Sequence, residues 1–170
     1  SAGRAPAWPS FWPDPRLRMA AAPVTSVDDD IRAIWDEMLS AMYAMPGVGL
    51  AAPQIGVMLR LAVVDAGEKR AAIRMANPEI VKASTTLQIH EEGSPNLPGL
   101  YAKVSRPDRV TLRFLDETGV RVEHEFTGLW STSAQHQVDH LNGRMFFDRL
   151  GPVKRRMLID KHLKQQKRGR

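Results

Sequence analysis

The chain has 170 residues, of which 43% are hydrophobic, so it is long enough to form one domain with a substantial core. It contains no cysteine, which excludes disulfide bonds and thiolate metal ligands and fits a reducing, cytoplasmic setting. No apolar run reaches the length of about 18 residues that a transmembrane helix needs, so no contact with a membrane is predicted.

The net charge of +5 is concentrated near the C-terminus. Residues 154–170 carry eight lysines and arginines against one aspartate, which leaves the rest of the chain slightly negative. A basic helix on a nearly neutral body suggests an anionic partner such as ribosomal RNA. The alternative is a solvated, lysine-rich helix face with no specific partner.

Residues 1–10 are predicted to be a disordered lead-in, and residues 11–170 are predicted to form a single domain.

The N-terminal half of this domain is predicted to contain one helix. Residues 25–47 have apolar side chains at helical spacing, a cap at Thr25 or Ser26, and a stop at Pro46 and Gly47.

The middle of the chain is predicted to form strands. Residues 59–65 are a short apolar strand, and residues 70–92 continue in extended conformation. Residues 103–126 alternate apolar and polar side chains around the turn at residues 116–119, which predicts a hairpin.

Two helices are predicted to complete the domain. Residues 128–143 form a helix that ends at Asn142 and Gly143. Residues 151–170 form a basic amphipathic helix, for which the predicted inward side chains are Val153, Met157, Leu158 and Leu163. Central strands with helices at both ends indicate an α+β domain.

Two histidines lie four residues apart on the predicted helix 128–143. His136 and His140 therefore face the same side, as two neighbouring ligands of a tetrahedral metal site would. The spacing alone is equally compatible with two ordinary half-buried histidines.

Two loops contain residues suited to a binding site. Residues 47–56, GVGLAAPQIG, combine small residues with Gln54, a neutral hydrogen-bond donor that the tight backbone would hold in place. Residues 91–99, EEGSPNLPG, form a proline-rich loop. Each segment taken alone is an ordinary turn.

In this order, the three segments resemble the motifs of peptide deformylases, G-x-G-x-A-A-x-Q, E-G-C and Q-H-E-x-D-H. They are present here as residues 47–54, 92–94 and 135–140. Residues 12–18, WPDPRLR, and 143–155, GRMFFDRLGPVKR, extend the resemblance over nearly the whole chain. It implies antiparallel strands around a central helix that carries both histidines.

The resemblance also implies an activity, which is removal of the N-formyl group from N-formylmethionyl peptides during translation. The implied cofactor is a divalent metal, iron or zinc, held by His136, His140 and a cysteine. A glutamate between the histidines moves protons, while Gln54 and the backbone N–H after the cysteine stabilise the oxyanion.

The chain departs from these motifs at three positions. Ser94 replaces the cysteine ligand, and a hydroxyl that keeps its proton near neutral pH is a feeble metal donor. Gln137 replaces the glutamate, and an amide cannot act as a general base. Pro95 has no backbone N–H to donate.

Other acidic and imidazole side chains near Ser94 leave alternatives open. His90 and Glu92 share a strand face with Ser94 and could supply a third ligand, or Glu92 could pair with a basic group as a structural carboxylate. Asp139 is interpreted as a hydrogen-bond acceptor that orients the helix.

The predicted ligand is an N-formylated or other N-terminal peptide. The residues predicted to contact it are Gly49, Leu50, Gly99, Leu129 and Trp130, with a core position as the alternative for Trp130. Three functions compatible with the sequence are a slow or altered deformylase, a catalytically inactive relative that binds nascent peptides or the ribosome, and RNA binding by the basic helix.

Overall fold

The computed structural model describes residues 11–169, so the prediction for residues 1–10 lies outside the described part of the chain. Its elements include three α-helices and seven strands. The helices are α1 (Asp29–Ala44), α2 (Gly128–Leu141) and α3 (Pro152–Arg168). The strands are β1 (Gly49–Ala51), β2 (Leu61–Val64), β3 (Ile73–Ala83), β4 (Leu87–Ser94), β5 (Leu97–Pro107), β6 (Arg109–Leu115) and β7 (Arg121–Thr127).

The strands form two antiparallel sheets around α2. Five of them pair in the order β1-β2-β3-β6-β7, and β4 pairs with β5. Helix α2 contacts strands of both sheets, and every residue from Ser131 to Leu141 is buried. The predicted α+β fold with a central histidine helix is confirmed. Within residues 11–169, none of the helices combines the length and apolarity that crossing a bilayer requires.

Helix α1 begins later than predicted. The cap is Asp28, whose side chain accepts a hydrogen bond from the backbone N–H of Ile31, rather than Thr25 or Ser26. A carboxylate at this position also interacts favourably with the helix dipole, which explains why the later residue is used. Trp35, Met38 and Met42 are fully buried against the five-stranded sheet, as the helical spacing predicted.

The extended segment 70–92 is two strands that belong to different sheets. Strand β3 pairs with β2 and β6, whereas β4 pairs only with β5 among the described residues. The chain leaves the first sheet at Ser84, whose hydroxyl lies within hydrogen-bonding distance of Thr86 O, at 2.9 Å, and of the carboxylate of Asp108, at 2.7 Å. This change of sheet brings the Glu92–Ser94 segment next to α2.

The predicted hairpin is strands β6 and β7. The carboxylate of Asp116 accepts hydrogen bonds from the N–H groups of Thr118 and Val120 and so closes the turn, and Gly119 adopts a positive φ of 83°. Val120 itself lies outside the strand and is exposed, whereas Phe126 is buried in the core.

Of the four side chains predicted to face inward from the C-terminal helix, Leu158 does pack against the core. The prediction is wrong for Val153, Met157 and Leu163, which are exposed. The inward stripe of α3 is completed by Ile159 and His162. The Nε2 atom of His162 lies 2.7 Å from Trp12 O, so the helix is held by one narrow stripe against the N-terminal segment and does not bury a broad apolar face.

Candidate active site

Helix α2 presents His136 and His140 on one face, as their spacing requires. Their Nε2 atoms are 3.0 Å apart, and both rings are buried. Burial lowers the pKa of His140 well below its ordinary value, and electrostatic interactions with His136 and Arg106 lower it further. His140 is therefore a neutral imidazole at physiological pH.

The ring of His136 is oriented by a carboxylate from β4. Its Nδ1 atom lies 2.9 Å from Glu92 Oε1, so the proton is placed on Nδ1 and Nε2 is directed toward His140. Burial alone would raise the pKa of Glu92, but hydrogen bonds from His136 and Arg106 outweigh it and hold the pKa at about 2. Glu92 is thus an ionised structural carboxylate. Its contacts with Arg106 and His136 favour this role over that of a third metal ligand.

Behind the histidines, Arg106 connects two acidic side chains. Its guanidinium donates to both oxygens of Glu92, at 2.6 and 2.9 Å, and to Asp139 at 2.9 Å. Asp139 also accepts two hydrogen bonds from Arg149. Arg106 is a site residue that was not predicted from the sequence, although a signal was available: it lies two positions after Val104 and so occupies an inward-facing position of β5.

A second cluster, formed by Gln54, Ser94 and Asn96, is neutral, and its members are hydrogen-bonded to one another. The Nε2 atom of Gln54 donates to Ser94 Oγ at 3.2 Å and to Asn96 Oδ1 at 2.9 Å, and Ser94 Oγ donates to Asn96 Oδ1 at 2.7 Å. Gln54 Oε1 accepts from Ala51 N at 2.9 Å. Asn96 is fully buried and was not among the residues predicted from the sequence.

Gln137 lies against the wall formed by Gly49. A Cβ atom added at Gly49 would come within 2.5 Å of Gln137 Nε2 and 2.3 Å of Ser133 Oγ, so glycine is required for this close approach. Gln137 Nε2 donates a long hydrogen bond of 3.5 Å to Ser133 Oγ. Its buried Oε1 atom is without a hydrogen-bond partner among the described residues.

A cavity of about 770 Å³ opens in front of these residues. Its lining includes Gln54, His136 and three of the residues predicted to contact a peptide, Gly49, Gly99 and Leu129. The other two lie elsewhere. Leu50 is fully buried in the core around α1, and Trp130 packs half-buried against the core cluster of the five-stranded sheet.

The donor set agrees only in part with the metal that the motifs imply. In a tetrahedral zinc site with bonds of ~2.05 Å, two imidazole nitrogens lie about 3.3 Å apart, close to the observed 3.0 Å. The third donor does not fit, because the Ser94 hydroxyl is hydrogen-bonded to Asn96 and Gln54. His90 is directed to Thr132 Oγ1 at 2.8 Å. Residues 11–169 contain no group of three or more His, Cys, Asp or Glu side chains able to hold a metal ion.

The chain is similar to deformylases along most of its length. Residues 10–156 match the family model described as polypeptide deformylase. The peptide deformylase of Methylocella silvestris is 45% identical over 161 residues, which cover 91% of this chain and 82% of that protein.

Solved structures agree with this similarity. A peptide deformylase from Legionella pneumophila superposes with a TM-score of 0.88 at 41% identity, covering 96% of each chain. A class I type b peptide deformylase from Acinetobacter baumannii, solved with Met-Ala-Ser bound, superposes with a TM-score of 0.80 at 31% identity, covering 84% of this chain and 96% of that one. The chain belongs to the peptide deformylase family.

Proposed function

We propose that this chain binds the N-terminal end of N-formylmethionyl peptides in the cavity and hydrolyses the formyl amide slowly. The main observation behind this proposal is the cavity of about 770 Å³. Its lining includes His136, on α2, and Gln54. Its volume lies within the range that small-molecule and peptide pockets usually have. The relative from Acinetobacter baumannii holds Met-Ala-Ser, which supports a peptide as the ligand here.

Slow hydrolysis is expected because the groups that move protons and stabilise charge are altered. The amide of Gln137 cannot accept a proton from an attacking water, and loss of a general base usually lowers a rate by roughly 10²–10⁴-fold. Gln54 Nε2, the retained oxyanion donor, is engaged by Ser94 and Asn96. Pro95 offers no N–H beside it.

The alternative is a catalytically inactive relative that binds nascent peptides. Binding and turnover measured on the same sample separate the two. We expect formyl-Met-Ala-Ser to bind in a calorimetric titration, while release of formate is at least about 100-fold slower than with a deformylase that has the complete motifs. Binding without any release of formate would select the inactive relative.

A cavity variant tests whether the peptide occupies this site. Leu129 lines the cavity and is 40% exposed, so Leu129→Arg places a charge in the cavity without disturbing the core. We expect at least about a tenfold loss of peptide affinity, equivalent to ~1.4 kcal/mol. Val120→Arg is the matched control, because Val120 is exposed at the β6–β7 turn and does not line the cavity. Equal affinity in both variants would contradict the proposal.

A second proposed contact, with RNA or the ribosome in the cytoplasm, involves α3. The observation that favours it is an exposed basic surface next to exposed Val153 and Met157. Its exposed basic residues are Lys154, Arg156, Lys161, Lys164, Lys167 and Arg168. RNA binding through this surface should weaken steeply with salt. We expect the salt dependence to flatten when Lys161, Lys164 and Lys167 are replaced by glutamine, whereas an unchanged slope would contradict an RNA contact.

A further inference from the structure

We infer that a closed hydrogen-bonded triangle of Gln54, Ser94 and Asn96 takes the place of the third metal ligand in this chain. Asn96 is the residue that closes the triangle. Gln54 and Ser94 belong to the wall of the cavity, and the role of the triangle is the same whichever peptide enters.

The hydroxyl of Ser94 has no capacity left for a metal. It donates its proton to Asn96 Oδ1 at 2.7 Å and accepts from Gln54 Nε2 at 3.2 Å. A longer contact from the backbone N–H of Asn96, at 3.4 Å, occupies the remaining acceptor direction. A hydroxyl has one donor and two acceptor positions, and all three are therefore in use.

Gln54 is fixed at both ends of its side-chain amide. Ser94 Oγ and Asn96 Oδ1 are only 2.7 Å apart, too close together for the two diverging N–H bonds of the amide, so Nε2 donates to both oxygens through one shared hydrogen, at 3.2 and 2.9 Å. The Oε1 atom accepts from Ala51 N. Because Asn96 Oδ1 accepts from both Ser94 and Gln54, removing this one oxygen would break two sides of the triangle.

The triangle joins Gln54 to the turn that contains Ser94 and Asn96, about 40 residues further along the chain. Gln54 belongs to the single-turn helix Ala52–Ile55, Ser94 ends β4, and Asn96 lies in the turn before β5. The carbonyl of Asn96 also accepts from Trp12 N at 3.0 Å, which anchors that turn to the N-terminal segment. In many proteins a bound ion holds side chains from separate segments together. In this chain, hydrogen bonds between neutral groups hold Gln54 and Ser94 together instead.

The inference predicts that a single substitution creates a metal site. His136 and His140 already have their Nε2 atoms 3.0 Å apart, so Ser94→Cys would add the missing thiolate. Zinc and cobalt(II) are titrated into apo protein and followed by calorimetry and by the visible absorption of thiolate-bound cobalt. Loss of a group that hydrogen-bonds to a metal ligand typically costs 10–100-fold in metal affinity, and the absence of a ligand itself should cost at least as much. We therefore expect Ser94→Cys to bind zinc at least about 100-fold more tightly than the unmodified chain.

Ser105→Cys is the matched control, because Ser105 is exposed on β5. It adds a thiol to the same sheet without placing it near the histidines, so no stoichiometric metal site is expected. The combination Ser94→Cys with His136→Ala should lose the site created by Ser94→Cys.

The role of Asn96 is tested by thermal unfolding. Loss of a partner for buried polar groups in a chain of this size should lower the melting temperature of Asn96→Ala by about 3–8 °C. Zinc should not restore it, whereas zinc should raise the melting temperature of Ser94→Cys combined with Asn96→Ala. Gln165→Ala, at an exposed position of α3, is the control and should change the melting temperature much less.

Three results would overturn the inference. The first is one tightly bound zinc per unmodified chain that is lost with His136→Ala, since the chain would then hold the metal without a thiolate. The second is a folded Ser94→Cys protein that binds no zinc, since Ser94 would not be the missing ligand. The third is an unchanged melting temperature in Asn96→Ala, since the triangle would then contribute nothing to the stability of the fold.

Discussion

Two clusters of side chains at the cavity differ in chemistry. On the ionic side, Glu92, Arg106 and Asp139 form a buried ionic network that orients His136. On the neutral side, Gln54, Ser94 and Asn96 are bonded to one another, and Gln54 and Ser94 line the cavity together with His136. The deformylase scaffold therefore combines charged contacts that orient one histidine with neutral contacts in the cavity wall.

Replacing Arg106 should have the largest effect on the ionic side. Arg106→Met leaves the buried carboxylate of Glu92 without its bidentate partner, and breaking one side of such a pair typically costs about 3–5 kcal/mol. Urea unfolding followed by circular dichroism measures this loss. Arg113→Met removes an exposed ion pair with Glu123 and serves as the control, with little change expected. Equal stability of the two variants would contradict the structural role of the network.

The stability of the fold at acidic pH should depend on the ionisation of Glu92. Because the pKa of Glu92 is about 2 in the folded chain, below the ordinary 4.5, its ionised form contributes stability at neutral pH. That contribution, on the order of 3 kcal/mol, should be lost as the pH falls from about 4.5 toward 2. Glu92→Gln should be less stable at pH 7 and should show a flatter decline in the free energy of unfolding over this range. An equally steep decline in the variant would assign the acid sensitivity to other groups.

The third prediction tests the close packing on the neutral side. Gly49→Ala would bring a methyl group within 2.5 Å of Gln137 Nε2, and overpacking of this kind usually costs about 1–3 kcal/mol. Gly151→Ala is the control, because nothing lies within 4 Å of its added Cβ atom. Thermal unfolding and formyl-peptide titration should both report a loss for Gly49→Ala only. Unchanged thermal stability and peptide affinity in Gly49→Ala would mean that the side chain of Gln137 can move aside to make room for the methyl group.

The smallest effect is expected at Pro95. Pro95→Ala restores a backbone N–H at the edge of the cavity, and one added hydrogen bond is worth about 1 kcal/mol. Formyl-peptide affinity should rise up to about fivefold, while the free energy of unfolding falls by about 0.4–1 kcal/mol because the unfolded chain gains freedom. Unchanged affinity would mean that this N–H does not face the ligand.

The family and the central helix could be predicted from sequence because both depend on local patterns. The i, i+4 spacing fixed His136 and His140 on one face, and the alternation of β6 predicted its buried side. The burial of α3 could not be predicted in the same way. Val153 and Met157 have suitable spacing, but the stripe that packs is set by where the N-terminal segment and β5 meet the helix.

The sequence by itself determined which chemical groups are available near α2: the two imidazoles of His136 and His140, the amide of Gln137 between them, and no thiolate. Side-chain chemistry is a property of the residue and needs no fold. Only the tertiary structure decided that Arg106 pairs with Glu92, and that Asn96 binds both Ser94 and Gln54. Those partners come together through the change of sheet after β3 and the turn between β4 and β5. Hydrogen bonds act over about 3 Å, so such contacts depend on an arrangement that no local sequence pattern encodes.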